Sequence, residues 1–525
     1  MNVCSTKWMG AFFALAAVWA CAPARAELQE VAVGGEITLR ARGFLNVYAP
    51  GRARRPIAPA AWFPWRALGT DGLSSAFAWD DRGPDSWYTE QVLRLNVNAR
   101  LSQGVSAFLE LYNYDIQGED FPSDYLTGND TANPGRNDLE FLQAYVEMDG
   151  LWGGMGRLRL GRQLMTLGKG WLIGAKSTSL QYCYLDAARL TLTPWDNVTA
   201  DLWTANVGAT RLLPADDRLF HGVHATWAAS PALNLTAFYM LLHDGSPLED
   251  TSGDPLMEAR ERLLGLDRYG ATWLHTLGGR VFGEVGAWDY DLEGAGQWGD
   301  AAHLGARFRR VNLLGDYGDD GAEFATWAAD AEVGRTFDAR WSPRVFVGAA
   351  WYDGEDRRAV SFGEWLNPFA RPRASVSFNR LYSQVDYDSI LGGGTNMSSF
   401  WLGRAGVRVR PAEKWTAQLR VISYRAVGAF ARPASLRVNG RWVPVAPSLS
   451  FWDQESSKDL CVTLGLSLRY DYSPDLSLTL AYSHLFTADG LGRDGNFVFD
   501  NGTGFAGGTA SDDADYIGLL TEITF

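Results

Sequence analysis

Hydrophobic and polar residues alternate along many short segments of this chain, and the alternation is strictest in residues 514–525. Ile517, Leu519 and Ile523 share one face of that segment, whereas Glu522 lies on the other. Successive side chains of a β-strand point to opposite sides, so such a segment has one apolar face and one polar face. This is the pattern of a strand that crosses a membrane with lipid on one side and water on the other.

The same two-residue period recurs throughout the chain, for example in residues 35–48, 87–101, 105–114 and 139–148, where full charges occupy the polar face. Beyond residue 26 there is no run of about 18 apolar residues, the length that a transmembrane helix needs. The composition of 57 Gly, 22 Trp and 20 Tyr suits short strands with aromatic ends. The pattern predicts an all-β fold, a transmembrane antiparallel β-barrel.

The connections between the alternating segments are of two kinds. Eight short turns rich in Gly, Pro, Asn or Asp are predicted at 102–104, 149–156, 194–197, 230–233, 277–279, 338–343, 411–414 and 473–475. Nine longer loops are predicted at 49–86, 116–137, 168–184, 207–218, 244–266, 291–321, 354–397, 426–456 and 488–513. Their alternation gives about 18 strands with short periplasmic turns and long extracellular loops. Residues 301–310 are assigned to a loop, because a nineteenth strand would put the termini on opposite sides of the membrane.

The N-terminal segment, residues 1–26, has the features of an export signal. Lys7 provides the positive region, residues 9–22 form the apolar region, and Ala24 and Ala26 flank Arg25 in an A-x-A cleavage site. A lipoprotein site at Cys21 is the alternative, although Trp19 fits that pattern poorly. We therefore expect residues 27–525 to form one barrel domain in the outer membrane of a Gram-negative bacterium, after cleavage near Ala26.

Arginine is frequent on the polar faces of the predicted strands, whereas lysine is scarce. Arginine stays charged at all relevant pH values and binds carboxylates through a planar fork, so a lumen lined with it favours anionic solutes. The alternative is that many of these arginines pair with Glu36, Glu110, Glu147, Glu284 and Glu332 along the wall. The arginines predicted to line the pore are Arg40, Arg42, Arg94, Arg100, Arg159, Arg162, Arg189, Arg404, Arg408, Arg410, Arg420 and Arg469.

The net charge of the whole chain is −14, and removal of Lys7 and Arg25 with the signal segment makes it −16. Much of the acid lies in the predicted loops, so the net charge says little about the lumen.

Several short motifs resemble the alginate-export (AlgE-type) outer-membrane porins. They are LGRQ at 160–163, LDAARL at 185–190, AEVG at 331–334, YDGED at 352–356 and FNRLY at 378–382. The resemblance implies an outer-membrane channel that passes an alginate-like polyuronate or its oligomers. The alternative is a general or nutrient-uptake porin, which separate acidic and basic walls would favour. A barrel with a plugged lumen, acting as an adhesin or structural protein, is a third hypothesis.

No enzymatic motif is apparent, because the six histidines are not placed in a recognisable catalytic pattern. Cys183 and Cys461, which remain after signal cleavage, show no metal-ligand spacing. We therefore expect no enzyme activity, metal, cofactor or nucleic-acid partner. The expected partners are outer-membrane lipid and lipopolysaccharide, the barrel-assembly machinery through Phe525, an anionic polysaccharide and periplasmic export proteins, and the expected state is a monomer.

Overall fold

The structure is a computed structural model that describes most of the strands and parts of the loops. The described residues are 28–45, 47–48, 78–79, 86–101, 104–117, 139–175, 180, 182–207, 218–245, 259, 263, 271–301, 309–312, 315–318, 322–354, 374–390, 398–428, 431–432, 435–438, 441–444, 454–455, 457–490, 498–499, 503–504 and 513–525. The predicted export signal, residues 1–26, lies outside them.

The main sheet contains 19 strands, of which Ala374–Val376 is a short parallel addition, so 18 antiparallel strands form the barrel. In chain order they are β1 (Leu28–Leu45), β2 (Ser86–Leu101), β3 (Val105–Gln117), β4 (Glu140–Gly150), β5 (Gly156–Leu164), β6 (Tyr184–Trp195), β7 (Val198–Asn206), β8 (Arg218–Ser230), β9 (Leu233–Asp244), β10 (Thr272–Val285), β11 (Trp288–Asp300), β12 (Ala322–Thr336), β13 (Arg344–Tyr352), β14 (Phe400–Ala412), β15 (Trp415–Ala426), β16 (Asp459–Ser473), β17 (Leu476–Thr487) and β18 (Ala514–Thr524).

Each strand pairs with the next one in the chain, and the last pairs with the first. The seam between β1 and β18 is antiparallel, with Ile37 opposite Ile523 and Gly43 opposite Ile517. Because every strand has two neighbours, the sheet closes into a barrel and leaves no free edge along the seam. The all-β, 18-stranded prediction is confirmed.

The predicted alternation of faces is also present. On β2, Leu95 and Val97 are each 40% exposed on the outer face, whereas Glu90 is 2% exposed on the inner face. Apolar side chains that face outward and charged side chains that face inward are the arrangement that lipid outside and a polar lumen require. Among the described residues, no helix has the length and apolar character needed to cross a membrane.

Seven of the eight short turns lie where the sequence predicted them, and the turn at 277–279 is wrong. Residues 277–279 are inside β10, and the turn is at Gly286, which has a φ of +62°. Glycine is required at position 278 within the strand. A Cβ there would collide with the Phe238 ring and lie 2.5 Å from the carbonyl oxygen of Gly294. The predicted loop 291–321 is correspondingly shorter, since β11 continues to Asp300.

Several loops contain short paired segments of their own, and Arg309–Asn312 pairs with Gly315–Gly318 in the loop after β11. The assignment of 301–310 to a loop therefore agrees with the described part of that segment. The other short pairs are Val47–Tyr48 with Ala78–Trp79, Ala431–Arg432 with Gln454–Glu455, Ser435–Val438 with Arg441–Pro444, and Val498–Phe499 with Thr503–Gly504. A short irregular helix, Leu151–Gly154, forms the turn between β4 and β5.

Two loop segments fold into the barrel instead of lying outside it, and together we call them the plug: residues 165–175 after β5 and residues 377–390 before β14. Trp171 and Phe378, one from each segment, are fully buried against inward-facing side chains such as Phe220 of β8 and Tyr352 of β13. Apart from residues 165–167, both segments belong to loops that the sequence predicted to be extracellular, 168–184 and 354–397. The hydrophobic core of this protein therefore lies inside the lumen, between the plug and the wall.

Candidate functional site

Ion pairs line the inner wall, and nine of the twelve arginines predicted to line the pore form one with a described carboxylate. They are Arg40, Arg42, Arg94, Arg100, Arg159, Arg162, Arg189, Arg404 and Arg469. The alternative interpretation of pairing along the wall therefore describes eight of these nine, and Arg162 is the exception. Of the carboxylates predicted as partners, Glu36, Glu110, Glu147 and Glu332 are used, and Glu284 has no ion pair within the described part of the chain.

The pairs between β1, β2 and β3 show how the strand register produces this arrangement. Arg94 lies between Glu36 and Glu110, at 2.7 Å and 2.8 Å, because its Cα is opposite Glu36 in the next strand. Arg40 is likewise opposite Glu90, and its Nε lies 2.6 Å from a Glu90 oxygen. Opposite charges at facing positions on one side of a sheet stabilise the pairing of the strands.

Arg162 lies on the outer face of the barrel and not in the lumen, contrary to the prediction. It shares its face of β5 with Leu160, which is 41% exposed, while its neighbour Gln163 is buried on the inner face. Arg162 pairs with Asp186 at 2.9 Å and covers the ring of Tyr184. This pair lies near the end of β5 that is farther from the short turn between β4 and β5.

Arg404 of β14 forms the most buried of the arginine pairs near the plug. Its guanidinium lies 2.8 Å from Asp330 and 3.0 Å from Glu332, both on β12. The exposed fractions of the Arg404 and Asp330 side chains are 8% and 4%. Each member of this pair has a second partner, since Arg404 also pairs with Glu332 and Asp330 also pairs with Lys169.

Asp330 also binds the plug, through two of its residues. The Nζ of Lys169 lies 2.8 Å from Asp330, 3.2 Å from Asp291 and 3.6 Å from Glu293. The hydroxyl of Tyr387 donates a hydrogen bond to Asp330 at 2.7 Å. Asp330 is thus the point at which both plug segments and the barrel wall meet.

Burial alone would lower the pKa of Lys169, but the neighbouring carboxylates of Asp330, Asp291 and Glu293 outweigh it and raise that pKa above its ordinary value. The ammonium group therefore stays charged across the physiological range. Sequence reasoning missed this residue as a site, since its partners lie 122 and 161 residues away along the chain.

Three predicted arginines, Arg408, Arg410 and Arg420, have no carboxylate partner among the described residues. All three face the lumen, on the same face as Arg404: Arg408 and Arg410 lie near the periplasmic end of β14, and Arg420 lies midway along β15, opposite Gly406. Arg408 donates a hydrogen bond to the side chain of Gln418 at 2.9 Å, and Arg410 is exposed. We call these three residues the arginine patch.

Arg157 was not among the predicted pore arginines, and it adds a basic group on the opposite wall. It lies on β5, on the same face as Arg159 and closer to the periplasmic turn, and it is exposed without a described carboxylate partner. Strands β5 and β14 are nine positions apart in a ring of 18, so their inner faces lie across the lumen from each other. Because alternate residues of a strand share a face, the prediction that Arg159 faces the lumen also implied that Arg157 does.

A recess of about 430 Å³ opens beside the arginine patch on the inner wall. Its charged lining consists of Glu284, Asp289, Asp291, Glu332 and Arg344. Arg344 binds both Asp289 and Glu332 there, and its Cα is opposite Arg408 in the next strand.

The acidic residues of β11 and β12 do not form a separate wall. Asp289 pairs with Arg344, and Asp291 and Glu293 lie near both Lys169 and Arg280. The described lumen therefore lacks the separated acidic and basic walls that the sequence analysis associated with a general porin. The inward charges without an ion pair described above are Arg157, Arg408, Arg410 and Arg420, together with the carboxylate of Glu284 in the recess.

The closed barrel of 18 strands, with its charged inner wall and apolar outer face, is that of an outer-membrane channel of the porin class. The chain belongs to the alginate export family, whose sequence model matches residues 76–501. Family and fold are those of transport channels, and the resemblance inferred from the short motifs is confirmed.

Several solved structures with a similar chain path are distant in sequence. OccAB2 of Acinetobacter baumannii is 11% identical, with a TM-score of 0.49 over 94% of this chain and 98% of that chain. OccK8 (OprE) and OpdL of Pseudomonas aeruginosa are each 11% identical, with TM-scores of 0.47 over 94% of this chain and 98% and 99% of theirs. Among proteins of curated function, none matches this sequence. The assignment follows from the strand pairing and the family match.

Proposed function

We propose that this outer-membrane channel passes an anionic, uronate-type polysaccharide or its oligomers, and that the polymer enters the lumen over the arginine patch. The observation that supports this role is the position of Arg408, Arg410 and Arg420. They face the lumen and form no ion pair with a described carboxylate, in a wall where the other predicted inward arginines are paired.

The geometry of β14 suits a polymer with repeated carboxylates. Residues on one face of a strand recur about every 6.6–6.8 Å, so Arg410 and Arg408 follow each other along the lumen at roughly that spacing. Each guanidinium can bind a carboxylate through two parallel hydrogen bonds. Several weak sites in series allow a charged solute to enter and to leave again. Arg157 on the opposite wall extends the basic surface across the entrance.

The test is single-channel recording of the refolded mature protein in a planar bilayer, with a salt gradient and with alginate oligomers as the probe. We expect anion selectivity in the wild type and interruption of the current by the oligomers. The double variant Arg408→Gln/Arg410→Gln should shift the reversal potential toward cations and weaken the effect of the oligomers at least tenfold.

The matched control is Arg469→Gln. Arg469 also lies on the inner wall near the periplasmic turns, but it is paired with Asp471 at 2.7 Å and with Glu522 at 3.4 Å. If Arg469→Gln and the double variant respond alike to the oligomers, the arginine patch has no special role in binding the polymer and this part of the proposal is refuted. Cation selectivity of the wild type without any response to uronates would refute polyuronate passage and leave a general porin.

The remaining expectations about location and partners are part of the proposal. Cleavage after Ala26 would be read from the mass of the protein purified from outer membranes. Recognition by the assembly machinery would involve Phe525, whose deletion should slow the appearance of folded protein. We assign no catalytic role, cofactor or nucleic-acid partner to the chain, and we expect a monomer in contact with lipopolysaccharide.

A further inference from the structure

The two plug segments are joined to each other as a small unit of backbone structure. The amide of Gly174 donates to the carbonyl of Tyr382 at 2.8 Å, and the amide of Tyr382 donates to the carbonyl of Leu172 at 2.9 Å. A further bond runs from the amide of Gln384 to the carbonyl of Gly170 at 3.0 Å. Because these bonds connect the segments directly, a force on one segment is transmitted to the other.

A chain of buried hydrogen bonds connects this unit to the wall at Asp330. The indole of Trp171 donates to the hydroxyl of Tyr352 at 2.7 Å. The Tyr352 and Tyr387 hydroxyls lie 2.8 Å apart, and Tyr387 donates to Asp330 at 2.7 Å. All of these side chains are buried, so the closed arrangement has few alternatives with the same polar groups satisfied.

Lys169 is the charged connection between plug and wall. It can leave the wall carboxylates more easily than Arg280 and Arg404 can. Arg280 and Arg404 are on barrel strands, where the ladder of hydrogen bonds fixes their backbone. Lys169 is on a loop, and its ammonium sits on a flexible four-carbon stem with three equivalent donors. A lysine on a loop can follow a moving anion, whereas the strand-borne arginines cannot.

The wall carboxylates remain paired after Lys169 leaves. Asp330 keeps Arg404 at 2.8 Å, and Asp291 keeps the Nε of Arg280 at 3.1 Å. Glu293 also keeps Arg280, at 3.9 Å. Each of the three carboxylates therefore still has an arginine within 4 Å after Lys169 leaves, with Arg280 shared by Asp291 and Glu293.

The inward face of β14 leads from the arginine patch to this point. Arg410, Arg408 and Arg404 lie on the same face of the strand, with Gly406 between the last two. A polyanion that advances along this face reaches Arg404, which contacts Asp330 directly. At that depth its next carboxylate would be close to Lys169, the neighbouring cation on Asp330.

We propose that Lys169 is an ionic latch that holds the plug closed, and that carboxylates of the arriving polyanion open it by taking the ammonium group from Asp291, Glu293 and Asp330. Movement of Lys169 with the polymer withdraws the plug and opens the lumen at the moment when cargo is present. This inference rests on the proposed function for the identity of the releasing anion, whereas the latch itself does not depend on it.

The experiment is single-channel recording of the refolded mature protein, with and without alginate oligomers added to each side in turn. The variant is Lys169→Met, which keeps an unbranched side chain one heavy atom shorter and removes its charge. We expect an open probability at least tenfold above that of the wild type in the absence of oligomers, and no further increase when they are added. Lys169→Arg keeps the charge and should behave as the wild type.

The control variant is Arg159→Met. Arg159 is paired with Glu147 at 2.7 Å and has the same exposed fraction as Lys169, 21%, but its ion pair is not with the plug. It should leave the open probability unchanged. Heat-modifiable migration in gels and the β-sheet circular dichroism signal would show that each variant forms a folded barrel.

The outcomes separate the latch from the proposed function. If oligomers act on the wild type but Lys169→Met opens no more often than the wild type, the latch is refuted and polyuronate passage stands. If Lys169→Met opens freely but oligomers act on neither protein, the latch stands while both release by a polyanion and the proposed function fail. An equal response of Lys169→Met and Arg159→Met would also refute the latch.

Discussion

Trp171 is the apolar centre of the plug, and replacing it with alanine should release the plug without unfolding the barrel. The side chain has no exposed surface, and its ring stacks on Phe378 with the centroids 6.3 Å apart. Replacement of a buried Trp by Ala typically costs about 3–5 kcal/mol. The Tyr352 hydroxyl keeps its bond to Tyr387 at 2.8 Å, so no buried hydroxyl loses its last partner and no further penalty is added.

This energy is lost only in the closed state, because Trp171 packs against the lumen wall only there. Since about 1.4 kcal/mol corresponds to a factor of ten, the ratio of open to closed plug should rise roughly 100-fold to several-thousand-fold. The substitution removes no main-chain hydrogen bond between the barrel strands. Their thermal unfolding should therefore remain close to that of the wild type.

The assay is the open probability in single-channel records, supported by the rate at which proteoliposomes swell in a sugar solution. The control is Phe108→Ala, which removes another inward aromatic ring, one that stacks on Tyr145 with centroids 5.2 Å apart. Phe108 lies outside the buried cluster around the plug. If Trp171→Ala forms a folded barrel and its open probability equals that of Phe108→Ala, the plug is not held by packing and the reasoning fails.

Two further predictions concern the thiols and the sheet. Burial raises the pKa of the Cys183 thiol to about 11, so in a Cys461→Ser background alkylation should be slow at neutral pH and accelerate roughly tenfold per pH unit up to about pH 11; a rate that stays flat from pH 7 to 9 would contradict this. Gly278→Val should prevent folding, because its Cβ would collide with the Phe238 ring, whereas Gly403→Ala should fold normally because nothing lies within 4 Å of its Cβ. Gel mobility with and without heating distinguishes the two, and a folded Gly278→Val would show that the sheet adapts there.

The barrel was largely predictable because its rule is local. A strand with lipid on one side and water on the other must alternate, and each strand carries that pattern in its own sequence. The error at 277–279 has a physical cause. A Gly-Gly pair is usual in a turn. Here, however, the pair lies within a strand, where the absence of a side chain at Gly278 leaves space for the Phe238 ring of the neighbouring strand. Local composition does not distinguish these two uses of glycine.

The site was less predictable because it depends on contacts between distant parts of the chain. The twelve arginines were identified as charged residues in alternating segments, but one residue of register decides whether such a side chain faces in or out. Arg162 was misplaced for that reason, since it alternates with the inward Arg159 and Gln163 and shares the outer face with Leu160. No sequence period indicates that a loop folds inward, so the plug and Lys169 became visible only in the structure.

The seam between β1 and β18 joins the two parts of the barrel that are farthest apart in the chain, with Ile37 opposite Ile523. The entropy of closing a loop grows with the logarithm of its length, about 0.6 kcal/mol for each doubling. The seam therefore costs roughly 3 kcal/mol more to close than a ten-residue hairpin, and its contacts stabilise the sheet only after the other strands are in place. Until then the growing sheet has two unpaired edges, one on β1 and one on the most recently added strand. The free backbone groups of each edge can pair with a strand of another chain. The barrel is consequently most exposed to mispairing in the interval before the seam closes, when both of these edges need to be shielded.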